Sequence, residues 1–264
     1  MSGDDSTAPK VSAGVQACVD AFKAGKPCMV FDSAFREGET DLLFPGVGTC
    51  PEWIRRLRQE CGGLLFLAIG DEVGEMFGMP YLQDLFKANE SAHPVLKALD
   101  TTDLQYDARS AFTVSINHRE TFTGITDKDR ALTTRRFAEL TTELLEAKAD
   151  PETCMQRLGK EFRTPGHIPV CRESPGGLKK RRGHTELAVS IARLAGLAPV
   201  TIGAEMLDPE GDLALPVEKA REYAAKHGIP MVEGKDLLEA HGLLEEQEKA
   251  EEEPEAKKAK TADE

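Results

Sequence analysis

The stretch VFDSAFREGETDLLFPG, Val30 to Gly46, decides how the chain is organised. Asp32, Glu37, Glu39 and Asp41 place four carboxylates within ten residues, with Arg36 as the only cation among them. Like charges at this density repel unless something positive sits between them. A hard divalent cation such as Mg2+ takes oxygen ligands from one or two carboxylates and leaves positions for substrate oxygens, so the cluster suits a metal-assisted site. The flanks Met29-Val30-Phe31 and Leu42-Leu43-Phe44 read as short buried strands holding the acidic loop between rigid edges. A solvated acidic turn has the same composition, and on these residues alone both readings stand.

Working outward, Val11, Val15, Cys18, Val19 and Phe22 share one helical face that closes at Gly25 and Pro27. After the loop, Thr49 and Glu52 stand at capping-box spacing before a helix from about Pro51, which Gly62-Gly63 stops. Leu64 to Ile69 follows as a fully buried strand. Helix, strand, loop, strand, helix, strand predicts an α+β fold, a mixed β-sheet with helices packed on it in a single layered domain. Asp71 to Asp107 has no clean period and is expected to be a loop-and-helix excursion.

Further along, Phe112, Val114 and Ile116 alternate with polar residues, which predicts a strand over 111–117. Thr126 and Asp129 mark the start of a helix running through Phe137, Leu140 and Leu144 until Asp150-Pro151 ends it. Thr164-Pro165-Gly166-His167 is expected to turn into the apolar run Ile168 to Cys171, and Ser174 to Gly177 to turn again. Lys179, Lys180, Arg181 and Arg182 then precede Gly183-His184-Thr185-Glu186 and a helix bearing Leu187, Ile191 and Leu194. Cations beside exposed helix N–H groups make a ready phosphate site, with a basic surface turn as the plainer alternative. A strand over 199–206 carries Glu205 near its end, where a carboxylate either faces water or transfers protons with a raised pKa. A helix over 217–227, a strand over 230–232 and a helix over 237–244 complete the expected domain, residues 11–244. Residues 1–10, and 245–264 with nine acidic and four basic side chains, read as disordered tails.

Acidic residues outnumber basic ones by 46 to 33, for a net charge of -13, which disfavours nucleic acid and anionic membranes as partners. The six cysteines form no C-x-x-C pair and read as reduced thiols. No apolar run is long enough to span a bilayer and no signal peptide is visible at the N-terminus, so a cytoplasmic location is expected.

Five blocks carry a resemblance: DSAFREGETDLLFPG (32–46), FTVSINHRETFTGITDKDRALT (112–133), TPGHIPVCRE (164–173), GHTELAVSIARLAGL (183–197) and the strand containing IGAEM (202–206). The chain resembles 3,4-dihydroxy-2-butanone 4-phosphate synthase of riboflavin biosynthesis, in its archaeal, single-domain form, over roughly residues 11–240. The resemblance implies Mg2+-dependent conversion of the sugar phosphate D-ribulose 5-phosphate into L-3,4-dihydroxy-2-butanone 4-phosphate and formate, by a carbon-carbon lyase. Mg2+ is the implied metal, with Mn2+ as a candidate substitute. Glu37 and His184 match the family's metal ligands, and Arg36, Glu37 and Asp41 its substrate-binding positions. Arg181, Arg182, Gly183, His184 and Thr185 match the phosphate-binding block, while His167 and Glu205 match its two proton-transfer residues, Glu205 also touching substrate. In the family the site lies at a dimer interface, which implies a homodimer.

Three departures accompany the match. Arg182 stands where many members have a small residue, Phe66 where many have a cysteine, and the segment 140–163 is longer than in bacterial relatives. Two rival readings remain: another Mg2+-dependent sugar-phosphate isomerase or lyase, and a non-catalytic module that binds phosphate or RNA through Lys179 to Arg182.

Overall fold

In the computed structural model, which describes residues 11–101, 103–104, 107 and 109–244, the chain enters through helix α1 (Ala13–Lys23). Ser12 caps it, its hydroxyl accepting the Val15 N–H at 3.2 Å. The tails read at 1–10 and 245–264 lie outside the described residues. Strands β1 (Cys28–Phe31) and β2 (Thr40–Pro45) pair antiparallel with Phe31 opposite Thr40, so the acidic loop is the connection of one hairpin. Helix α2 (Pro51–Arg56) runs on into a π-helical turn, Leu57–Cys61, and ends at Gly62. The expected capping box does not form. Cys50 is the cap residue, and the buried Thr49 hydroxyl donates to Gly46 O (2.8 Å) instead, because the turn out of β2 brings that carbonyl back to Thr49, whose N–H it also accepts at 3.3 Å.

After β3 (Phe66–Ile69), the segment without a period folds as three short helices, α3 (Asp71–Phe77), α4 (Leu82–Ala88) and α5 (Pro94–Ala98). Strand β4 is only Ile116–His118. The strand expected over 111–117 is therefore mostly irregular. Its first half makes a single bridge, Phe112 to Cys171, with Phe112 exposed and Thr113 buried, the reverse of the alternation read from sequence. Thr126 caps α6 (Asp127–Glu146) as expected, and Asp150-Pro151 separates it from α7 (Pro151–Glu161), for which Asp150 is itself the cap. The long 140–163 segment is thus the end of one helix and the whole of another.

Thr164-Pro165-Gly166-His167 is not a turn but part of β5 (Phe162–Ile168). Ile116 faces Ile168 while the next residue, Asn117, faces Arg163, so Thr164 to His167 bulge out of the β4–β5 ribbon. Turn-forming residues here shape a bulge because strand pairing continues on both sides of it. The remaining elements are β6 (Val170–Arg172), α8 (His184–Leu194), β7 (Val200–Glu205), α9 (Val217–His227), β8 (Met231–Glu233) and α10 (Gly234–Ala240). The last helix starts three residues before the expected Leu237, because Glu233 and Asp236 form a capping box there.

Six strands form one sheet in the order β6-β3-β7-β2-β1-β8, parallel at its two outer pairs and antiparallel inside. Alternate side chains enter two cores. Met29, Leu42, Phe44, Leu67 and Ile202 pack with α2, α3, α6 and α9 on one face, and Cys28, Val30, Leu43, Phe66 and Ala68 pack with α1, α8 and α10 on the other. Burial on both faces is why these strands read as unbroken apolar runs rather than as an alternation. It also leaves the strand ends as the place where polar groups can gather. All six cysteines carry free thiols, and among the described residues no helix is long and apolar enough to cross a membrane.

Candidate active site

Asp32 folds the acidic loop. Its Oδ1 accepts the Glu39 N–H and its Oδ2 the Glu37 N–H, both at 3.0 Å, and the Ser33 carbonyl accepts the N–H groups of Arg36 and Gly38. This wraps the chain so that Arg36 and Glu37 face the N-terminus of α8. The loop is an ordered cradle, and the solvated acidic turn is excluded for Asp32 and Asp41, both buried.

His184, the first residue of α8, is buried among these carboxylates. Its Nε2 lies 3.5 Å from Glu37 and 3.7 Å from Asp32, and its Nδ1 lies 3.0 Å from Asp41 Oδ2. Despite that approach, the Asp41 oxygens and the His184 ring nitrogens lack aligned hydrogen-bond partners among the described residues. Leaving a buried charged group unsatisfied costs about 1–3 kcal/mol or more, so the arrangement is built for something further. Burial pulls the imidazolium down, but the charges of Asp41, Asp32 and Glu37 outweigh it and push the ring up to about 9. A proton on the ring thus supplies the positive charge that a metal ion would supply. Ligand atoms of Asp32, Glu37 and His184 lie within 4.8 Å of one another, against about 4.2 Å for opposite ligands around Mg2+. Two carboxylates and an imidazole at this spacing fit a divalent ion. Asp32 belongs to that set although the resemblance implied only Glu37 and His184 as ligands; its place in the acidic cluster was the available signal.

Glu205 stands at the end of β7, directly across from Asp41 in β2. Burial, and then the Asp41 charge, push its carboxyl up to about 7. Gly63 makes room for it: a Cβ there would meet Glu205 O at 2.5 Å and Oε2 at 2.6 Å. The Gly63 N–H donates to Glu205 O at 3.0 Å, so this end of the strand is held in place.

A cavity of about 240 Å³ opens over this group, with Glu37, Asp107, Arg181, His184, Thr185 and Glu205 among its polar walls. Phe66 and Cys171 line its apolar side, so the Phe66 departure bears directly on the cavity. Burial pushes the Cys171 thiol up to about 12, and it is inert at neutral pH. Arg181 folds back over Gly183, whose Cβ would lie 2.2 Å from Nη1, and donates to the buried Glu186 carboxylate at 2.6 Å. Gly183 caps α8 with no side-chain hydrogen bond, which leaves the first-turn N–H groups to other acceptors. The expected four-cation phosphate site is not formed. Of the four, only Arg181 lines this cavity; Lys179 and Lys180 are exposed, and Arg182 lines a separate cavity behind the loop with Ser33, Arg36 and Lys235. The reason is the 3-10 turn Gly177–Lys179, which carries the lysines away from the helix axis.

His167 is not brought to the cavity. It is exposed on the β5 bulge, its N–H donating to Asn117 Oδ1 at 2.8 Å and its Nδ1 paired with Asn117 Nδ2 at 3.0 Å. Nothing in sequence spacing marks Asn117 as this histidine's partner, since the pair forms only through the strand bulge.

The family model for 3,4-dihydroxy-2-butanone 4-phosphate synthase matches residues 16–240. The chain is 40% identical to the 3,4-dihydroxy-2-butanone 4-phosphate synthase of Archaeoglobus fulgidus over 86% of this chain and 94% of that one. It is 38% identical to that of Methanosarcina mazei over 87% and 91%. A solved 3,4-dihydroxy-2-butanone 4-phosphate synthase in complex with two magnesium ions is similar with a TM-score of 0.63 at 26% identity, over 85% of this chain and 94% of that one. The matched span runs from inside α1 to the end of α10 and holds both the carboxylate cradle and the α8 helix start facing it. The chain belongs to the 3,4-dihydroxy-2-butanone 4-phosphate synthase family.

Proposed function

We infer that the chain converts D-ribulose 5-phosphate into L-3,4-dihydroxy-2-butanone 4-phosphate and formate, in riboflavin biosynthesis, as a Mg2+-dependent carbon-carbon lyase. The observation that carries the reading is the buried, hydrogen-bond-poor pair Asp41 and His184, with His184 and Glu37 at the wall of the cavity. Glu37 and His184, with Asp32 adjoining, are the residues that would hold Mg2+. When bound, the ion supplies a Lewis acid for adjacent hydroxyl and carbonyl oxygens of a sugar phosphate.

Each remaining role follows from placement. Glu205, with a proton affinity near neutrality, both accepts and returns a proton, work that contributes about 10²–10⁴-fold when the group is positioned. Asp41, fully buried behind His184 and off the cavity wall, acts through His184, 3.0 Å away, and keeps the Glu205 proton affinity high. Arg181 presents its guanidinium group to this cavity, and Arg36, which lines the neighbouring cavity, reaches it through Asp107 at 3.0 Å; Thr185 with the α8 N–H groups completes the phosphate end. Arg182, by contrast, acts outside this cavity.

We also propose a homodimer in which His167 serves the partner's cavity. The loop against its partner Asn117 exposes apolar residues: Gly124 packs on Asn117, and the same loop carries Phe122, 93% exposed, and Ile125, 51% exposed. A second copy covering this ribbon would bury both and bring His167 to a site that otherwise lacks it. Residues 11–244 are the catalytic unit in this reading, acting in the cytoplasm with the terminal segments dispensable. Removing 1–10 and 245–264 should leave turnover unchanged.

The deciding experiment incubates purified protein with ribulose 5-phosphate and Mg2+ and measures formate. Stoichiometric formate separates this reaction from other sugar-phosphate isomerases and lyases that share its early proton transfers. Isomerised sugar phosphate without formate would replace the reading with one of those.

A further inference from the structure

Arg36 and Arg181 come from segments far apart in sequence, yet their guanidinium groups converge on one atom. Arg36 Nη2 lies 3.0 Å and Arg181 Nη2 2.7 Å from the same oxygen, Asp107 Oδ2. Their other prongs are committed elsewhere: Arg36 Nη1 to Glu37 and Asp32, Arg181 Nη1 to Glu186. Each arginine therefore has one remaining terminal nitrogen, and both meet a single acceptor. Two cations held this closely need an anion between them, and one oxygen receiving an N–H from each is the geometry of a bridging phosphate oxygen. Arg181 Nε has no partner among the described residues, so the donor set is not exhausted by the carboxylate. Asp107 itself lines the cavity and keeps part of its side chain in solvent, which lets it exchange for another anion without burial of a lone charge.

We propose that Asp107 is an internal anion that occupies the Arg36–Arg181 clamp and competes with the substrate's phosphate for it. The proposal rests on the reading above that these arginines bind substrate. A phosphate dianion brings two charges and several oxygens against one carboxylate, so it displaces Asp107, and the Nη2 groups exchange one acceptor for another. In the absence of substrate the carboxylate keeps the two arginines aligned and excludes smaller or less charged anions. Apparent phosphate affinity is then lower than intrinsic affinity by the fraction of molecules whose clamp is free.

The test titrates inorganic phosphate into the full chain with Mg2+ by calorimetry, comparing wild type, Asp107→Asn and Asp107→Ser, with Asp20→Asn on α1 as a control for net charge. Asp107→Asn should bind phosphate about five- to twentyfold more tightly than wild type and show a lower KM for ribulose 5-phosphate, with Asp20→Asn unchanged. The serine variant, which removes the acceptor as well as the charge, should tighten binding in the same direction. Unchanged or weaker phosphate binding in both Asp107 variants overturns the proposal and makes Asp107 a residue that positions the arginines. Phosphate binding to none of the proteins overturns it as well. If wild type releases no formate, the assigned reaction fails while the titrations still decide the role of Asp107. If formate is released and binding is not tightened, only the competition fails.

Discussion

Asp41 and Glu205 are cross-strand partners in the β2–β7 pair, so the sheet register sets a fully buried, hydrogen-bond-free carboxylate beside one whose proton affinity has risen to about 7. Neither residue is near the other in sequence. Strand pairing alone makes them a unit, and His184 reaches the same unit from the start of α8. The Glu205 carboxyl and the polar cradle of the site are thus joined through one rung of the sheet.

Glu205→Gln should lower formate production by about 10²–10⁴-fold while raising stability selectively at higher pH. The folded state holds the Glu205 proton more tightly than the unfolded chain, with an affinity near pH 7 against 4.5 for an ordinary glutamate. The stability this contributes is fully present below the unfolded value and is lost as pH rises through about 7. Glutamine cannot ionise, so the variant should gain roughly 1–2 kcal/mol over wild type between pH 5 and 8, after discounting for partial exposure. Urea unfolding in excess chelator at the two pH values measures this; a difference that does not change with pH would show that Glu205 titrates normally.

Metal binding should separate the two histidines. His184→Ala and Glu37→Gln are expected to weaken Mn2+ binding about tenfold or more, as followed by electron paramagnetic resonance. His167→Ala, exposed on its bulge, should bind Mn2+ like wild type and still lose most turnover. Excess chelator should abolish activity and added Mg2+ restore it. Loss of metal in His167→Ala with retention in His184→Ala would exchange the two assignments.

A site shared between subunits predicts complementation. Mixing inactive His167→Ala with inactive Glu205→Gln, after dissociation and reassociation, should recover roughly one quarter of wild-type activity, because half of the dimers are mixed and each has one complete site. Recovery of nothing, with mixed dimers demonstrated by mass spectrometry, would mean that His167 works within its own chain.

Gly63→Ala is expected to destabilise by about 1–3 kcal/mol and to cut turnover, since the added methyl meets Glu205 backbone and side chain together. For a chain of this size that is a fall in Tm of roughly 2–4 °C per kcal/mol. A thermal melt and formate assay unchanged from wild type would show that the close approach relaxes without consequence.

The elements of the core were legible in the sequence because both faces of the sheet are buried and the strands are therefore uninterrupted apolar runs, while α1, α6 and α9 keep a regular helical period. The cap at Thr126 obeys local chemistry, which requires only a side-chain oxygen three residues before a free N–H. The acidic loop and the GHTE helix start were legible for the same reason: each site element is a contiguous motif. What depended on partners distant in the chain was not. Thr49 found a carbonyl rather than a helix N–H, Thr164 to His167 became a bulge because β4 and β5 pair around them, and the lysines of the basic run were carried off the cavity by a short 3-10 turn. Above all, only the tertiary structure set Asp41 against Glu205, Asp107 between Arg36 and Arg181, and His167 outside its own cavity, because strand register and long-range ion pairs are decided by packing, to which spacing along the chain carries no signal.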